Sequence, residues 1–215
     1  MSSGARSLTI VNTQPGKLAQ IRVHMLKTIL IRLGLAGTLI AAPAFAEEAP
    51  DALLKRVTDT TIGEIRQGKD ARELVESRLL PYFDAQRATQ LALGSHWRRA
   101  TPEQRERLVR EFRTLLVRTY SGALASYRGQ AVEYLPLRAK PDETEVTVRS
   151  RIRQSGAETI MVEYDLAKGE QGWKVFDVRV GGISLVATYR SSFAEEVRNR
   201  GIDGLISALE SKNRT

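Results

Sequence analysis

The sequence predicts a single α+β domain in which helices pack on a four-stranded antiparallel sheet. Three observations lead to this prediction. Apolar residues recur every three or four positions up to about Gly129, the apolar period falls to two between Ala131 and Val180, and a helical pattern returns after the sheet. The sequence after residue 46 shows neither an internal repeat nor a linker, so we expect one domain over residues 47–215.

Start and stop signals predict three helices ahead of residue 94. The first opens at Pro50 and closes near Gly68, with its apolar residues on one side. The second opens at Asp70, whose carboxylate can cap it, and is stopped by Pro81. The third is short and covers about residues 84–93.

The longest predicted helix begins at Thr101. Thr101 can cap it, Pro102 occupies the first turn, where its missing N–H costs nothing, and Gln104 completes a capping box. After the sheet, another helical stripe runs to Gly201, and a short last helix follows it. The buried stripe of the long helix recurs at helical spacing through Leu108, Phe112, Leu115, Leu116, Thr119, Ala123 and Tyr127.

The alternating segment predicts a four-stranded meander, with strands near residues 131–138, 143–154, 158–168 and 172–180. Three-residue loops at 155–157 and 169–171 give a consistent register, in which Arg149 lies opposite Glu163. Trp173 and Val175 are apolar on the nominal outer face, so we expect another element to cover that end. The inner face then brings together three residues on each of two strands: Ile160, Val162 and Tyr164 opposite Val180, Val178 and Phe176.

The first 46 residues have the pattern of a secretory signal peptide. They hold five basic residues and no acidic one, whereas the whole chain has a net charge of +8. Lys27 and Arg32 precede an uncharged stretch that ends in Ala44-Phe45-Ala46, so small residues occupy the two positions that a signal peptidase reads. We expect a signal peptide over residues 1–46, with the true start at Met25.

The mature chain, which we expect to begin at Glu47, has a small inventory of reactive side chains. It contains no cysteine and one histidine, His96, which excludes thiol catalysis and His/Cys metal cages. Export of a cysteine-free chain fits a bacterial periplasm. An alternative from another class is a periplasmic hydrolase that works through His96 and Ser184, a serine that also suits a helix cap.

The basic residues do not form a one-signed patch. In the long helix, arginines alternate with glutamates at helix-pairing spacing, which favours a solvated charged face and argues against nucleic-acid binding. The sheet face, the helical stripes and the turn at Pro81-Tyr82-Phe83 supply much apolar surface around few interior polar groups. This pattern is typical of a filled core, and it is also compatible with a core that encloses a cavity.

A series of short motifs, in order and spacing, resembles the MlaC family of periplasmic phospholipid-binding, toluene-tolerance proteins. The resemblance spans nearly all of the mature chain and ends with the segment that starts at Gly201-Ile202-Asp203. The motifs are Leu79-Leu80-Pro81-Tyr82, Leu93-Gly94 with Trp97-Arg98, Ala100-Thr101-Pro102-Glu103-Gln104, Phe112 with Leu115-Leu116, Thr119-Tyr120, Trp173-Lys174-Val175-Phe176-Asp177-Val178, Gly182-Ile183-Ser184-Leu185-Val186 and Tyr189-Arg190.

The resemblance implies an NTF2-like shape, in which helices and a curved sheet enclose a deep apolar pocket for the acyl chains of a glycerophospholipid, with the head group near the mouth. It implies a carrier and not an enzyme, with phospholipid as cargo and no cofactor. It also implies two membrane partners: an inner-membrane ABC transporter with an MCE-domain subunit, and an outer-membrane lipoprotein associated with a porin. The role would be to maintain the lipid asymmetry of the outer membrane.

If such a pocket exists, its wall should come from the sheet face, the long helix, the turn after the second helix and the segment after the sheet. On this basis the expected lipid-binding residues are Tyr82, Phe83, Phe112, Leu116, Tyr120, Val146, Val148, Ile152, Ile160, Val162, Tyr164, Phe176, Val178, Val180 and Ile183.

Overall fold

A computed structural model describes residues 48–140, 142–153, 156 and 158–214. The predicted signal peptide, residues 1–46, lies outside the described residues. The described part is α+β, as the sequence predicts, with helices packed on an antiparallel sheet that does not close into a barrel. None of its helices is long and apolar enough to cross a membrane.

Five α-helices are present in the described residues, and their order follows the predicted order. They are α1 (Pro50–Arg66), α2 (Ala71–Leu74), α3 (Ala85–Leu93), α4 (Pro102–Ala125) and α5 (Arg190–Arg214).

The caps predicted at Asp70 and Thr101 are confirmed, and the structure adds a third cap at Asp84. Asp70 accepts a hydrogen bond from the backbone N–H of Glu73 at 2.9 Å, and Asp84 accepts one from Arg87 at 2.9 Å. At the start of α4, the Gln104 N–H donates to the Thr101 hydroxyl at 3.2 Å, and the Thr101 N–H donates to the Gln104 side chain at 3.0 Å. These bonds satisfy N–H groups that an uncapped helix leaves without partners, and they fix where each helix begins.

The second helix differs from its prediction. Only Ala71–Leu74 is α-helical; a π-helical turn follows at Val75–Leu79, and a 3₁₀ turn at Leu80–Tyr82 carries the chain to the sheet. Pro81 cannot continue an α-helix, because it lacks an N–H and its ring would clash with the preceding turn. The chain therefore leaves α-helical geometry before the proline. We call residues 75–83 the wall segment.

The last two predicted helices are present as two helical segments of α5 that meet at a kink. In α5 the backbone at Gly201 has φ 72° and ψ −177°, values outside the helical region. A side chain would be strained at this φ, whereas glycine adopts it readily. The predicted break at Gly201 is thus confirmed, and it separates the two helical segments of α5.

Within the described residues the sheet has five strands in the order β1-β2-β3-β4-β5, one more than predicted. The additional strand, β5, has only two residues, too few to leave a periodic signal in the sequence. The first strand ends four residues early, at Tyr134, since Pro136 cannot donate to the ladder. The strands are β1 (Ala131–Tyr134), β2 (Glu145–Arg153), β3 (Ile160–Gly169), β4 (Gly172–Val180) and β5 (Ile183–Ser184).

The register between β2 and β3 is the predicted one. Arg149 lies opposite Glu163, and its Nε donates to the Glu163 carboxylate at 3.0 Å. Of the predicted loop between these strands, residues 155 and 157 lie outside the described residues.

The register between β3 and β4 was predicted incorrectly. Val180 lies opposite Val162 and Val178 opposite Tyr164, a shift of two residues from the expected pairs, and the loop has two residues, Glu170 and Gln171. A β-bulge opposite Asp165 and Leu166 inserts one extra residue into β4. Phe176 lies at this bulge and does not pair with Tyr164, as had been expected.

The bulge explains why two apolar series in β4 are out of phase. Trp173 and Val175 alternate in one phase and Val178 in the other, yet all three contact the same buried cluster as Leu166. The extra residue between Val175 and Val178 returns the strand to the same face. Trp173 and Val175 are therefore apolar because they lie on the same buried face as Val178. They do not lie on an outer face that another element would have to cover.

The apolar interior consists of two clusters. The helical cluster joins α3, α4 and α5 around Leu108, Phe112 and Ile206, and the sheet cluster packs Leu54 of α1 against the sheet. Phe83 packs against both. Its backbone also bridges to Val175, and the Asp84 N–H donates to the Val175 carbonyl at 2.8 Å, so the wall segment is fixed to β4.

Candidate ligand-binding cavity

A cavity of about 580 Å³ lies between the helices and the inner face of the sheet. Its volume falls within the range of roughly 300–1,000 Å³ that is common for small-molecule pockets. Leu116 and Val186 of the helical cluster and Leu54 and Val175 of the sheet cluster all contribute to its wall. Since an ordinary domain core is usually one contiguous cluster, the interior of this domain is hollow.

Four parts of the chain form the wall. Helix α1 contributes Leu54, Val57, Thr58, Thr61 and Ile62, and the wall segment contributes Val75, Leu79, Leu80, Tyr82 and Phe83. Helix α4 and the turn after it contribute Leu116, Val117, Tyr120, Ala123, Leu124, Tyr127 and Gln130. The sheet and the segment after it contribute Val132, Ile152, Glu158, Ile160, Tyr164, Val175, Val178, Leu185 and Val186.

The hydroxyl groups of α1 in the cavity wall are bonded within the protein. Thr61 is 1% exposed, and its hydroxyl donates to the Val57 carbonyl at 2.7 Å. The Thr58 hydroxyl accepts a hydrogen bond from Tyr134 at 2.7 Å. Because these groups already have partners, this part of the wall favours an apolar ligand.

Three tyrosines near the cavity are held in the uncharged form. Burial raises the pKa of Tyr120 to about 12, and it also raises the pKa of Tyr134 and of Tyr164. The rings of Tyr134 and Tyr164 stack with their centroids 6.5 Å apart. A tyrosine with the ordinary pKa of 10 is already uncharged at neutral pH, and the raised pKa values extend this range. The three phenols add polarisable surface to the interior without adding charge.

The cavity opens where α4 ends and β3 begins. The exposed residues of the wall are Ala123, Glu158 and Ile160, and Ile160 is 46% exposed. The residues around Thr61, Leu116 and Val186 are buried and form the deep end. Among the described wall residues, Glu158 alone carries a charge, and it lies at the mouth.

The structure brings eight of the fifteen expected residues together around this cavity. Two belong to the wall segment, two to α4 and four to the sheet: Tyr82, Phe83, Leu116, Tyr120, Ile152, Ile160, Tyr164 and Val178. Their contact with lipid stays a prediction.

Three other expected residues lie in packed core. Phe112 is 1% exposed and makes edge-on contacts with the rings of Tyr189 and Phe193, at 5.1 and 5.2 Å between centroids. Val146 and Val148 are buried in the sheet cluster with Leu166. These side chains fill space between elements and do not line the cavity.

The remaining four lie toward the β3–β5 end of the sheet or at the bulge. Val162 is buried opposite Val180, and Val180 and Ile183 pair with each other and are 37% and 63% exposed. The ring of Phe176 lies under the guanidinium of Arg87, 3.9 Å from the ring centroid. None of the four belongs to the described cavity wall.

The expected lipid-binding residues include none of the five that α1 supplies to the wall. The apolar stripe of α1 was recognised, but it gave no sign that Leu54, Val57 and Ile62 faced a cavity. Val75 and Leu79 were also missed, because they were assigned to a regular helix that the π-helical turn replaces. π-Helical turns are frequent at functional sites, but the sequence carried no signal for this one.

The two residues of the hydrolase alternative have no catalytic arrangement among the described contacts. The Ser184 hydroxyl donates to the buried carboxylate of Asp177 at 2.6 Å and accepts from the Ala187 N–H at 2.8 Å. Asp177 also accepts from the N–H groups of Val178 and Val186, at 2.8 and 3.3 Å. Ser184 therefore fixes the turn after β5, and none of its described hydrogen bonds links it to His96 as a general base.

Relatives of known description are similar over most of the chain. The intermembrane phospholipid transport system binding protein MlaC of Haemophilus influenzae is 26% identical over 187 residues, which cover 82% of this chain and 87% of the relative. The toluene tolerance protein ttg2D of Pseudomonas putida is 26% identical over 185 residues, which cover 81% of this chain and 86% of the relative.

A solved structure shows the same architecture. The phospholipid-binding protein of Ralstonia solanacearum, solved in complex with a phospholipid, is 37% identical, with a TM-score of 0.71 over 78% of this chain and 98% of that one. The family model described as MlaC protein matches residues 47–211. The hollow α+β domain described above thus belongs to the MlaC family.

Proposed function

We propose that this chain is a periplasmic carrier of glycerophospholipid. It shuttles lipid between an outer-membrane lipoprotein–porin complex and an inner-membrane ABC transporter with an MCE-domain subunit, and so maintains the lipid asymmetry of the outer membrane. Membership of the MlaC family supports this proposal, as do the phospholipid transport and phospholipid binding named for its relatives. The activity moves a lipid without making or breaking a covalent bond.

The observation that carries the proposal is the apolar cavity that divides the interior. Its deep residues are uncharged, and the hydroxyls that α1 contributes are bonded internally. Such a wall suits an acyl chain, because an acyl chain has no polar group that could form a hydrogen bond with the protein. The mouth at Ile160 leaves a path for the polar end of the lipid to stay in water.

The free energy of exposing acyl chains to water determines how strongly the cavity must bind a lipid. The transfer of both acyl chains of a diacyl lipid into water, about 30 methylenes in all, costs on the order of 24 kcal/mol of free energy, at about 0.8 kcal/mol per methylene. A carrier has to offset this loss nearly as well as a bilayer does, because weaker binding prevents loading and much tighter binding prevents release. Net direction then comes from an energised partner.

Extraction of the native cargo tests the proposal. The protein is expressed with its leader, purified from the periplasmic fraction without detergent and extracted with organic solvent, and the extract is analysed by mass spectrometry. We expect glycerophospholipid in near-stoichiometric amount. Folded protein that yields none would overturn the carrier function.

A second experiment tests whether the loaded protein passes its lipid to the inner-membrane complex by direct contact. Loaded protein is mixed with detergent-solubilised inner-membrane complex, and lipid that carries an isotope label is followed from one to the other. We expect transfer that depends on direct contact between the two proteins. Transfer at the same rate across a dialysis membrane would show passive leakage and would contradict docking.

A further inference from the structure

A second cavity, of about 630 Å³, adjoins the first at Tyr127. It lies between the chain that joins α1 to α2, residues 65–71, and the turn after α4, residues 125–129. Unlike the apolar cavity, it is lined by several charged side chains. We call it the basic pocket.

The cations of the basic pocket outnumber its one carboxylate. Arg66, Lys69 and Arg128 line it together with Asp70. The Asp70 carboxylate is engaged as the cap of α2, and Lys69 Nζ binds the Glu64 carboxylate at 2.8 Å. The guanidinium groups of Arg66 and Arg128 then stand against the single Asp70 carboxylate, so the pocket keeps a net positive charge.

Neither guanidinium has a carboxylate partner among the described residues. Arg66 Nη2 donates to the Tyr127 hydroxyl at 3.0 Å, and the guanidinium carbon lies 5.7 Å from the centroid of the Tyr127 ring. Arg128 Nη1 donates to the carbonyls of Ala125 and Tyr127, at 2.8 and 2.9 Å. Both side chains are exposed at the pocket, with N–H groups to spare.

Tyr127 connects the two cavities. Tyr127 belongs to the wall of both cavities, and its hydroxyl accepts a hydrogen bond from Arg66 Nη2 at 3.0 Å and donates one to the Gln130 carbonyl at 2.8 Å. An amphiphile whose chains enter the apolar cavity along Tyr127 would therefore place its polar end beside Arg66 and Arg128.

We propose that the basic pocket binds the phosphate of the lipid whose acyl chains occupy the apolar cavity. A guanidinium presents planar N–H donors that match the oxygens of a phosphodiester, and two of them without carboxylate partners suit one anion. This inference rests on the proposed function, because it assumes that the apolar cavity holds acyl chains. It adds a polar contact that orients the lipid at the mouth.

Two ligands that differ only in the phosphate head test the inference. Dioctanoyl phosphatidylglycerol and dioctanoylglycerol have the same acyl chains, and their affinities for delipidated protein are measured by titration below the concentration at which they aggregate. For the double variant Arg66→Gln, Arg128→Gln we expect at least about tenfold weaker binding of the phospholipid and unchanged binding of the diacylglycerol. The matched control is Arg113→Gln, an exposed arginine of α4 that lines neither cavity.

The outcomes separate this inference from the carrier function. Wild-type protein that binds neither ligand would overturn the carrier function itself. Wild type and double variant that bind the phospholipid equally well would leave the carrier function intact and overturn the basic pocket as a phosphate site. Equal weakening for both ligands would also overturn it, because the change would then act through the apolar cavity.

Two further measurements address a double variant that fails to fold and a pocket that binds free phosphate. If the double variant does not fold, the single variant Arg128→Gln carries the test, since Arg128 is exposed and its described contacts are with local backbone and side-chain atoms. Titration with inorganic phosphate distinguishes a site for the free ion. Binding of inorganic phosphate that the variant loses, with phospholipid affinity unchanged, would assign the pocket to free phosphate and overturn the lipid assignment.

Discussion

Arg78 holds the Glu64 carboxylate with two parallel hydrogen bonds, from Nε to Oε2 at 2.8 Å and from Nη2 to Oε1 at 2.8 Å. The pair ties the π-helical turn of the wall segment to α1, the two elements that form one side of the cavity. Glu64 also accepts from Lys69, and its side chain is 13% exposed. Such two-pronged pairs fix orientation as well as distance, so this contact positions the cavity wall.

The first prediction is that Glu64→Gln destabilises the protein at neutral pH and that the effect fades in acid. Arg78, and after it Lys69, lowers the pKa of Glu64 to about 2 from an ordinary value of 4.5. A lowered pKa in the folded state means that the stabilisation is complete above about pH 4.5 and is lost as the pH falls toward 2. Melting temperatures of wild type and variant should therefore differ most near pH 7 and converge toward pH 2.

The control for this prediction is Glu76→Gln. Glu76 pairs with Arg72 one helical turn away at 3.2 Å, and both side chains are more than half exposed, so its loss should cost at most about 0.5 kcal/mol. A gap between wild type and Glu64→Gln that stays constant down to pH 2.5 would show that the carboxylate charge is not responsible.

The second prediction compares two valines that flank Tyr164 in the same row of the sheet. Val148 lies opposite Tyr164 on one side and Val178 on the other, but Val148 is 0% exposed in packed core whereas Val178 lines the cavity. Val178→Trp should occupy volume needed by the lipid, lowering bound lipid with little loss of melting temperature. Val148→Trp should overpack the core at a cost of about 1–3 kcal/mol or more.

Lipid per folded molecule, measured by mass spectrometry, and the melting temperature decide between these effects. A sharp fall in melting temperature for Val178→Trp, with lipid content unchanged, would place Val178 in ordinary core. It would also move the cavity away from this face of the sheet.

Val148 and Val178 also show where the sequence stops being informative. Both are valines on the inner face, and no local pattern separates one that meets close-packed neighbours from one that faces a void, because that depends on how distant elements approach. By contrast, Asp70 and Thr101 could be recognised as caps, since each acts on an N–H group three residues away. Fold class and helix starts were accordingly predictable, and the cavity wall only in part.

The bulge in β4 lies between the features that the sequence predicts and those that it does not. The two apolar series around Val175 and Val178 are the signal of this bulge in the sequence. A uniform alternation through both series, as predicted above, places the pairing with β3 two residues away from the observed register. A change of phase within a strand is better interpreted as an inserted residue than as an apolar outer face.

The third prediction concerns Ser184. Ser184→Ala removes a donor to the buried Asp177 carboxylate and an acceptor for the Ala187 N–H, and should lower stability by about 1–2 kcal/mol without altering the bound lipid. Ser192 also bonds to backbone, donating to the Tyr189 carbonyl at 3.0 Å, but it is exposed, so Ser192→Ala should change stability by less than about 0.5 kcal/mol. Loss of a hydrolytic activity in Ser184→Ala at unchanged melting temperature would restore the enzyme alternative.

The fourth prediction concerns the leader. We expect Ala46→Leu to block processing, because a large side chain does not fit the position next to the cleaved bond, whereas Phe45→Leu, one residue earlier, should be processed normally. The mass of the exported protein distinguishes the two forms, and its amino-terminal sequence should start at Glu47. A wild-type protein that keeps residues 25–46 would contradict cleavage after Ala46.

The lengths of the outermost strands bear on how this protein behaves at high concentration. The two edges of the described sheet are β1, with four residues, and β5, with only two. Beyond β1 the chain continues through Pro136, Arg138 and Lys140, a proline and two charges that hinder the addition of another strand. Neither of these two short strands offers a long row of free backbone groups to a second copy, and this lowers the tendency of the chain to aggregate through them.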